Sequence, residues 1–249
     1  MIADDGSTAT TRELIETFAP TFQCRLTHAW QDDLGFRVAR ARNCGIASSR
    51  GDYVILLDGD MLLHPSLGAD HRARVRQNSF LQGGRLRASE RETTQWLAGK
   101  RARFDWLLDG QFDTKHEFKR RHAFRAMWLA RRAARRGGNV MSCNMSFWRT
   151  DLDRVNGFDE RMQGYGSEDI ALAAQLRNAG ARQRQLKHAG LAVHLHHATR
   201  APPDPHDLAI PNNRLLRETR AQKLTHCVQG LNQHVGEFAE LPRDLRIRQ

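Results

Sequence analysis

Apolar and polar positions alternate along the chain with two periods, and the switches between them mark its elements. Met1-Ile2-Ala3 runs straight into Asp4-Asp5-Gly6-Ser7-Thr8. This predicts the tail of a strand, a turn, and a helix started by Ser7 or Thr8 near Arg12–Phe18. Gly35–Ser49 is a second helical stretch, with Phe36, Ala39 and Ile46 among its apolar positions. After Gly51-Asp52, Tyr53–Leu57 is apolar on both faces, the pattern expected of a central parallel strand. From about Arg85 to Gly138 the chain becomes arginine-rich and is expected to be helical. Met141–Trp148 is strand-like and leads into Thr150–Gly157. A helix beginning near Ser167 should end at Ala179-Gly180, where glycine suits the position after the cap. Leu191–His196 is a further strand candidate, and Pro202, Pro203, Pro205 and Pro211 mark a connector. In the tail, Asn212–Phe238, Leu215, Leu216, Leu224, Val228, Leu231 and Val235 recur at helical spacing, which predicts a helix docked on the body. The rhythm as a whole is that of an α/β fold with an open, mostly parallel sheet flanked by helices.

Composition narrows the class. The 249 residues suit one large domain, or one with a small appendage, and 40% hydrophobic content is enough for a sizeable core. Apolar runs are too short to span a bilayer, and no charged-then-apolar leader precedes the first strand. Cys24, Cys44, Cys143 and Cys227 lack metal-binding spacing, so thiols in a reducing, cytoplasmic compartment are expected. Charge is the unusual quantity: 39 Lys+Arg against 28 Asp+Glu, a net +11, with only five lysines among the cations. Such a balance favours anionic partners. Much of it sits in Lys115–Arg136, which holds nine basic residues and one acid, a net +8. Phe124, Met127 and Trp128 form an apolar patch there at helical spacing. The segment suits a helix on an anionic leaflet; it equally suits a solvated insert helix with its stripe packed on the core. No nucleic-acid-binding motif or series of stacking aromatics is present, so no specific nucleic acid is expected.

Three constellations could carry chemistry. Asp58-Gly59-Asp60 stands where the apolar strand leaves the sheet, the edge at which open α/β sheets bind ligands. Two carboxylates there could hold a hard divalent cation, and glycine would admit a bulky anion; the alternative is an ordinary Asp-Gly turn. In Gly164-Tyr165-Gly166-Ser167-Glu168-Asp169, Ser167 is placed to cap and two acids fall in the first helical turn. This is also ordinary capping chemistry. In Val193-His194-Leu195-His196-His197, a strand would put His194 and His196 on one face and His197 on the other. Imidazoles beside carboxylates suit manganese-like ions, though surface histidines look the same in sequence.

In order, the segments Ala3–Ser7, Gln31-x-x-x-Gly35-Phe36-Arg37, Ala41-Arg42-Asn43-x-Gly45-Ile46-Ala47, Gly51-Asp52-Tyr53 and Leu57–Asp60 resemble a family 2 glycosyltransferase of the GT-A fold. Cys143–Arg149 and Val155–Glu160 continue the likeness, and Gly164-Tyr165-Gly166-x-Glu168-Asp169 resembles a carboxy-terminal galactosyltransferase-type motif. The subgroup is most similar to chondroitin-polymerase-like enzymes and to bacterial polysaccharide or lipopolysaccharide sugar transferases. The resemblance implies a glycosyltransferase domain over residues 1–200, with a helical insert at about 85–138, and a linker and helical tail over 201–249. It implies an inverting transfer from a nucleotide-diphosphate-sugar, UDP-linked, to a glycan or lipid-linked acceptor in cell-envelope polysaccharide synthesis. Asp4, Asp5, Arg42, Asn43, Asp58 and Gly59 would contact the nucleotide-sugar. Asp60, with His194 or His197, would hold Mn²⁺ or Mg²⁺, and Asp169, helped by Glu168, would act as base. A peripheral site on the inner face of the cytoplasmic membrane, reached through residues 115–136, accompanies this reading. The family's opening strand and helix are absent before Met1, so the resemblance predicts a truncated chain or a misassigned start. Ala171 and Gln175 depart from residues common in the motif, with a modest effect expected on acceptor choice. Two other classes stay open: a nucleotidyltransferase on a related sheet, and a weakly catalytic remnant that binds an anionic partner.

Overall fold

The structure, a computed structural model, describes residues 1–99, 134–136, 140–186, 189–198, 204 and 206–235. The described residues form two compact units. The first comprises Met1–Asp52, Arg149–Ala179 and the chain from residue 201 onward; the second comprises Tyr53–Trp148 and residues 180–200.

In the first unit, β1 (Ile2–Asp4) pairs in parallel with β2 (His28–Trp30). Helix α1 (Ala9–Phe18) connects them and continues into a 3₁₀ turn at Ala19–Thr21. Thr8 occupies the N-cap of α1, as its sequence suggests, but its side chain makes no capping hydrogen bond. Ile15, Ala19 and Leu26 bury against Ile2 and hold α1 to the strand pair. Helices α2 (Val38–Ser48), α5 (Arg149–Val155), α6 (Glu168–Asn178) and α7 (Pro211–Ala221) complete the unit. Helix α6 ends as expected, with Gly180 at φ +91° just beyond Ala179. Pro211 is not part of a connector: it opens α7 at the first helical turn, where its missing N–H costs nothing. Met162 and Ala171 pack with Leu216 of α7.

The tail is only partly the helix expected. After α7 the chain turns at Lys223 (φ +51°) and forms a 3₁₀ turn at Leu231–His234. Leu216 and Leu231 are buried, whereas Val228 and Val235 are exposed, so helical spacing here does not mark one buried stripe. Asn156 fastens this segment: its amide donates to the Cys227 carbonyl (2.9 Å) and its Oδ1 accepts from the Asn232 N–H (2.8 Å). Burial pushes the Cys227 thiol up to about 12, so it packs there as a neutral group.

The second unit contains two mixed sheets. One has the order β3 (Tyr53–Leu57), β8 (Asn144–Trp148), β5 (Ser79–Gln82), β9 (Arg182–Leu186), β7 (Ala134–Arg136); the other runs β4 (Met61–Leu63), β10 (Leu191–His194), β6 (Gly84–Arg87). Only β5–β9 and β10–β6 are parallel; β3–β8, β5–β8, β7–β9 and β10–β4 are antiparallel. The expectation of a mostly parallel sheet, with Tyr53–Leu57 central in it, is therefore corrected. That strand stands at one end of the described order, pairs antiparallel, and is half-buried at every position. A continuous apolar run reports cover on both faces but says nothing of strand direction. The stretch from Arg85 is likewise not helical from its start. It begins as β6, continues as α4 (Glu90–Leu97), and includes strand again at β7. Residues 100–133, with most of the basic segment 115–136, lie outside the described residues. Phe80 and Phe147 stack at 5.9 Å, and Leu81, Leu186 and Ala189 bury together. Helix α3 (Leu67–Arg72) contributes the fully buried His71.

His71 sits in a directed hydrogen-bond chain. The Asn144 amide donates to the carbonyls of Gly84 (2.9 Å) and Gly190 (2.7 Å), so its Oδ1 faces His71 Nε2 at 3.0 Å as an acceptor. Nε2 therefore carries the proton. Nδ1 accepts from the Ser146 hydroxyl (2.7 Å), which in turn accepts from the Tyr53 hydroxyl (2.9 Å). Burial holds the His71 pKa below its ordinary value of 6.5, outweighing the hydrogen bond to Asn144 and the nearby Asp70. Among the described residues no helix is long and apolar enough to cross a membrane.

Because the folded pKa of His71 is depressed, the unfolded chain binds a proton first as pH falls. Its contribution to stability is full above about pH 6.5 and declines below it, by at most about 1.4 kcal/mol per pH unit. Urea unfolding of His71→Gln beside the parent between pH 7.5 and 5 should show a shallower decline in the variant. Identical slopes would contradict the assignment.

Candidate active site

The turn leaving β3 carries Asp58, Gly59 and Asp60 directly into β4. Asp58 and Asp60 are half-buried and Gly59 is exposed. A Cβ placed on Gly59 would meet nothing within 4 Å, so neither packing nor a left-handed φ demands glycine at that position. Strand β10 ends beside this turn, His194 pairing with Met61 and the Leu195 N–H donating to the Asp60 carbonyl (3.0 Å). The strand stops at His194, short of the His196 end that its sequence suggests. The following chain is irregular, which frees His197 from the opposite face that strand alternation would impose. His194 Nε2 and His197 Nε2 both lie 3.3 Å from Asp60 Oδ2, and their rings are 4.9 Å apart.

This trio can be tested for metal binding by its own geometry. Its ligand atoms all lie within 4.8 Å of one another. Asp60 Oδ1 is buried and accepts no hydrogen bond among the described residues. Burial lowers the His194 pKa, outweighing Asp60, and so favours the neutral imidazole that a metal requires. One carboxylate and two imidazoles suit a manganese-like divalent ion. The residues present fit such a group.

A neighbouring support is less visible in sequence. The His196 N–H donates to Thr93 Oγ1 of α4 (2.8 Å), which fixes the segment between the two histidines. Helix α4 is held by a complete capping box, Ser89 and Glu92 satisfying each other's backbone N–H groups. The S-x-x-E spacing of Ser89–Glu92 is the signal that marks this helix.

The first unit carries the other candidates. Asp4 ends β1 buried, accepting from the Ser7 N–H (2.9 Å) and lying 2.8 Å from His28 Nε2. Burial would raise its pKa, but the Ser7 and His28 contacts outweigh this and leave it below the ordinary carboxylate value. Asp5 accepts from the Gln31 amide and from the Arg37 N–H (2.6 Å). Both acids thus order the loop they belong to.

Arg42 and Asn43, adjacent in α2, point to internal partners. Arg42 Nη1 lies 2.8 Å from Glu168 Oε1 and its guanidinium covers the Phe158 ring at 5.3 Å. Asn43 is fully buried. Its amide donates to the Phe158 carbonyl and to Glu160 Oε1 (both 2.8 Å), and its Oδ1 accepts from the Phe158 N–H (2.9 Å). Gly157 at φ +67° allows this closeness; a Cβ there would fall 2.4 Å from Asn43 Oδ1. His194 and His197 meet Asp60, therefore, whereas Asn43 is enclosed by the Val155–Glu160 segment rather than turned outward.

Glu168 and Asp169 occupy the first turn of α6. Glu168 is buried, and its Oε2 accepts no hydrogen bond among the described residues. Asp169 is half-buried, and its Oδ1 accepts from the Ile170 N–H (2.7 Å). Ser167 does not cap the helix. It adopts φ +74° and donates instead to Asn213 Oδ1 (2.6 Å), while the Asn212 amide donates to the Gly166 carbonyl (2.9 Å). The start of α7 therefore braces the acidic loop.

Residues 1–136 match the family described as glycosyl transferase family 2. The chain belongs to this family. Residues 130–198, which include the acidic pair and both histidines, match the family described as the N-terminal domain of galactosyltransferase. Among curated proteins, the chain is 28% identical over 199 residues to the validoxylamine A glucosyltransferases of Streptomyces hygroscopicus subsp. jinggangensis (strain 5008) and subsp. limoneus. The match takes in 72% of this chain and 44% and 41% of those proteins. The chain thus spans less than half the length of these relatives. In structure it is similar to GalNAc-T7, solved with UDP, GalNAc and Mn²⁺, at a TM-score of 0.51 and 12% identity, over 86% of this chain and 40% of that one. That likeness shows the GT-A fold.

If Asn43 serves packing, Asn43→Ala should destabilise the protein by about 2–4 kcal/mol, through several buried groups left unpaired. Chemical denaturation checks this. Full stability with selective loss of nucleotide binding would instead give Asn43 a direct role.

Proposed function

We propose that this chain transfers a sugar from a nucleotide-diphosphate-sugar, UDP-linked, to a hydroxyl of a glycan or lipid-linked glycan, inverting the anomeric centre by direct displacement. The observation that carries this reading is the convergence of Asp60, His194 and His197 at the end of β3, with a buried carboxylate oxygen that accepts no hydrogen bond among the described residues. Those three residues would hold Mn²⁺ or Mg²⁺. When bound, the ion supplies Lewis-acid neutralisation of charge on the diphosphate leaving group. Asp58 meets the ribose, and Gly59 leaves the backbone open to the donor. Asp4 and Asp5 order the loop that takes the base and ribose.

Asp169 takes the proton from the acceptor hydroxyl as that oxygen attacks the anomeric carbon. Glu168 is positioned beside it by Arg42, so Arg42 acts through the acid pair rather than on the nucleotide. The donor's bond to the diphosphate breaks as the glycosidic bond forms, and its electron pair leaves with the nucleoside diphosphate. The acceptor belongs to envelope polysaccharide or lipopolysaccharide synthesis, at the inner face of the cytoplasmic membrane. The net +8 of Lys115–Arg136 supports attraction to anionic lipid there.

A nucleotide-sugar panel with Mn²⁺ provides the test. The parent should gain thermal stability with its donor, Asp60→Ala should lose that gain, and Asp169→Asn should bind the donor yet turn over ~100- to 10,000-fold more slowly. Indifference to both substitutions would defeat the assignment. For the membrane surface, sedimentation with vesicles should require anionic lipid; equal pelleting with neutral vesicles would remove that part.

A further inference from the structure

Strand β6 runs beside β10 in the second unit, with Ala192 opposite Arg85 and His194 opposite Arg87. Laterally paired residues project to the same side of a sheet, so Arg85 and Arg87 share the face that carries His194. The packing agrees. Ala192 buries with Cys143 and Met61, Met61 pairs with His194 from the other side, and Arg85 Nη1 lies 4.0 Å from Cys143 Sγ. Arg85 thus brings a guanidinium nitrogen to the edge of this buried cluster, on the face that carries His194. Its charge is near enough to act on His194, where it opposes protonation.

Arg85 is half-buried, and no carboxylate pairs with it among the described residues. A guanidinium partly removed from water without a counter-ion is costly, and an arriving anion would relieve that cost. Its planar fork of donors matches two oxygens of a phosphate group better than a point charge would. Asp60, at the head of β4 on the far side of β10, accounts for a cation; Arg85 accounts for an anion.

We propose that Arg85 binds the diphosphate of the donor nucleotide directly, on the side of the sheet that carries His194. The proposal rests on the donor reading above and adds a contact to it. Arg85 holds phosphate oxygens in the bound donor. It also stabilises the negative charge that grows on them when the anomeric carbon–oxygen bond breaks and the electron pair departs with the nucleoside diphosphate.

The test is made with divalent ions removed by EDTA, so that the contribution of Arg85 is read apart from metal. Calorimetric titrations compare UDP, GDP and dTDP with their monophosphates. The parent should prefer one diphosphate over its monophosphate by about tenfold or more, the scale of a charge-assisted contact. Arg85→Ala and Arg85→Gln should abolish most of that preference while leaving monophosphate affinity within about twofold, and Arg85→Lys should restore part of it. Arg91→Ala, which removes an exposed arginine from α4, should leave the preference intact and so controls for net charge. A preference unchanged in both Arg85→Ala and Arg85→Gln, with melting temperatures near the parent's, would overturn the proposal while the donor reading stands. Failure of the parent to bind any nucleotide, with or without Mn²⁺, would overturn the donor reading as well.

Discussion

Asn144 is a small side chain on which much of the second unit depends. It is fully enclosed, and every polar atom of its amide is engaged: two donors on the Gly84 and Gly190 carbonyls, and one acceptor facing His71. Its backbone carbonyl receives the Gly83 N–H and the Gln82 amide. One residue at the head of β8 thereby ties together α3, the approach to β6 and the turn before β10. In a low-dielectric interior such a network is stable only when complete, because each unmet group costs about 1–3 kcal/mol. The strand thus held in place is β10, whose last residue is His194. Buried amide chemistry far from any reacting atom in sequence is what sets an imidazole beside Asp60.

The family and the GT-A class were legible in the order of short motifs, and so were the helix from Ser167 to Gly180 and the strand at Tyr53–Leu57. Strand direction was not. An apolar run records burial on two faces, and Tyr53–Leu57 has that cover while pairing antiparallel with β8. Strands His28–Trp30 and Arg182–Leu186 were invisible for the opposite reason: neither is an apolar run, and both exist because neighbouring strands supply hydrogen bonds. The histidine cluster was half legible. Its members were evident, but His197 joins His194 only because β10 ends one residue before Leu195, and the Leu195 and His196 N–H groups then bond elsewhere.

Charge is distributed with the same economy. Several arginines outside the basic segment are committed to buried or partly buried acids: Arg154 to Asp151 at 2.7 Å, Arg161 to Asp159 at 2.6 Å, and Arg42 to Glu168 at 2.8 Å. Hydrogen bonding to Asp159 raises the Arg161 pKa. One pair lies within a helix, one joins two helices and one closes a turn, and each is destabilising to break from one side, since the acid is left buried without its partner. An arginine-rich composition therefore says little about partners until each guanidinium has been traced to its counter-ion.

The same tracing separates the two adjacent acids of α6. Both lie in the first helical turn, where the helix dipole favours negative charge, so position alone cannot assign their roles. Their surroundings differ. Glu168 is buried, with one oxygen on Arg42 and the other enclosed; Asp169 is half-buried, and its Oδ1 accepts the N–H of its neighbour Ile170 at 2.7 Å. A proton acceptor must be reachable by the hydroxyl it serves, and the carboxylate clamped by Arg42 is enclosed. The proposed base is accordingly Asp169, with Glu168 and Arg42 as the rigid pair beside it. In sequence Arg42 and Asn43 looked like two contacts to one nucleotide. Helical geometry sends them to different partners, one to the acid pair and one to the Phe158–Glu160 turn.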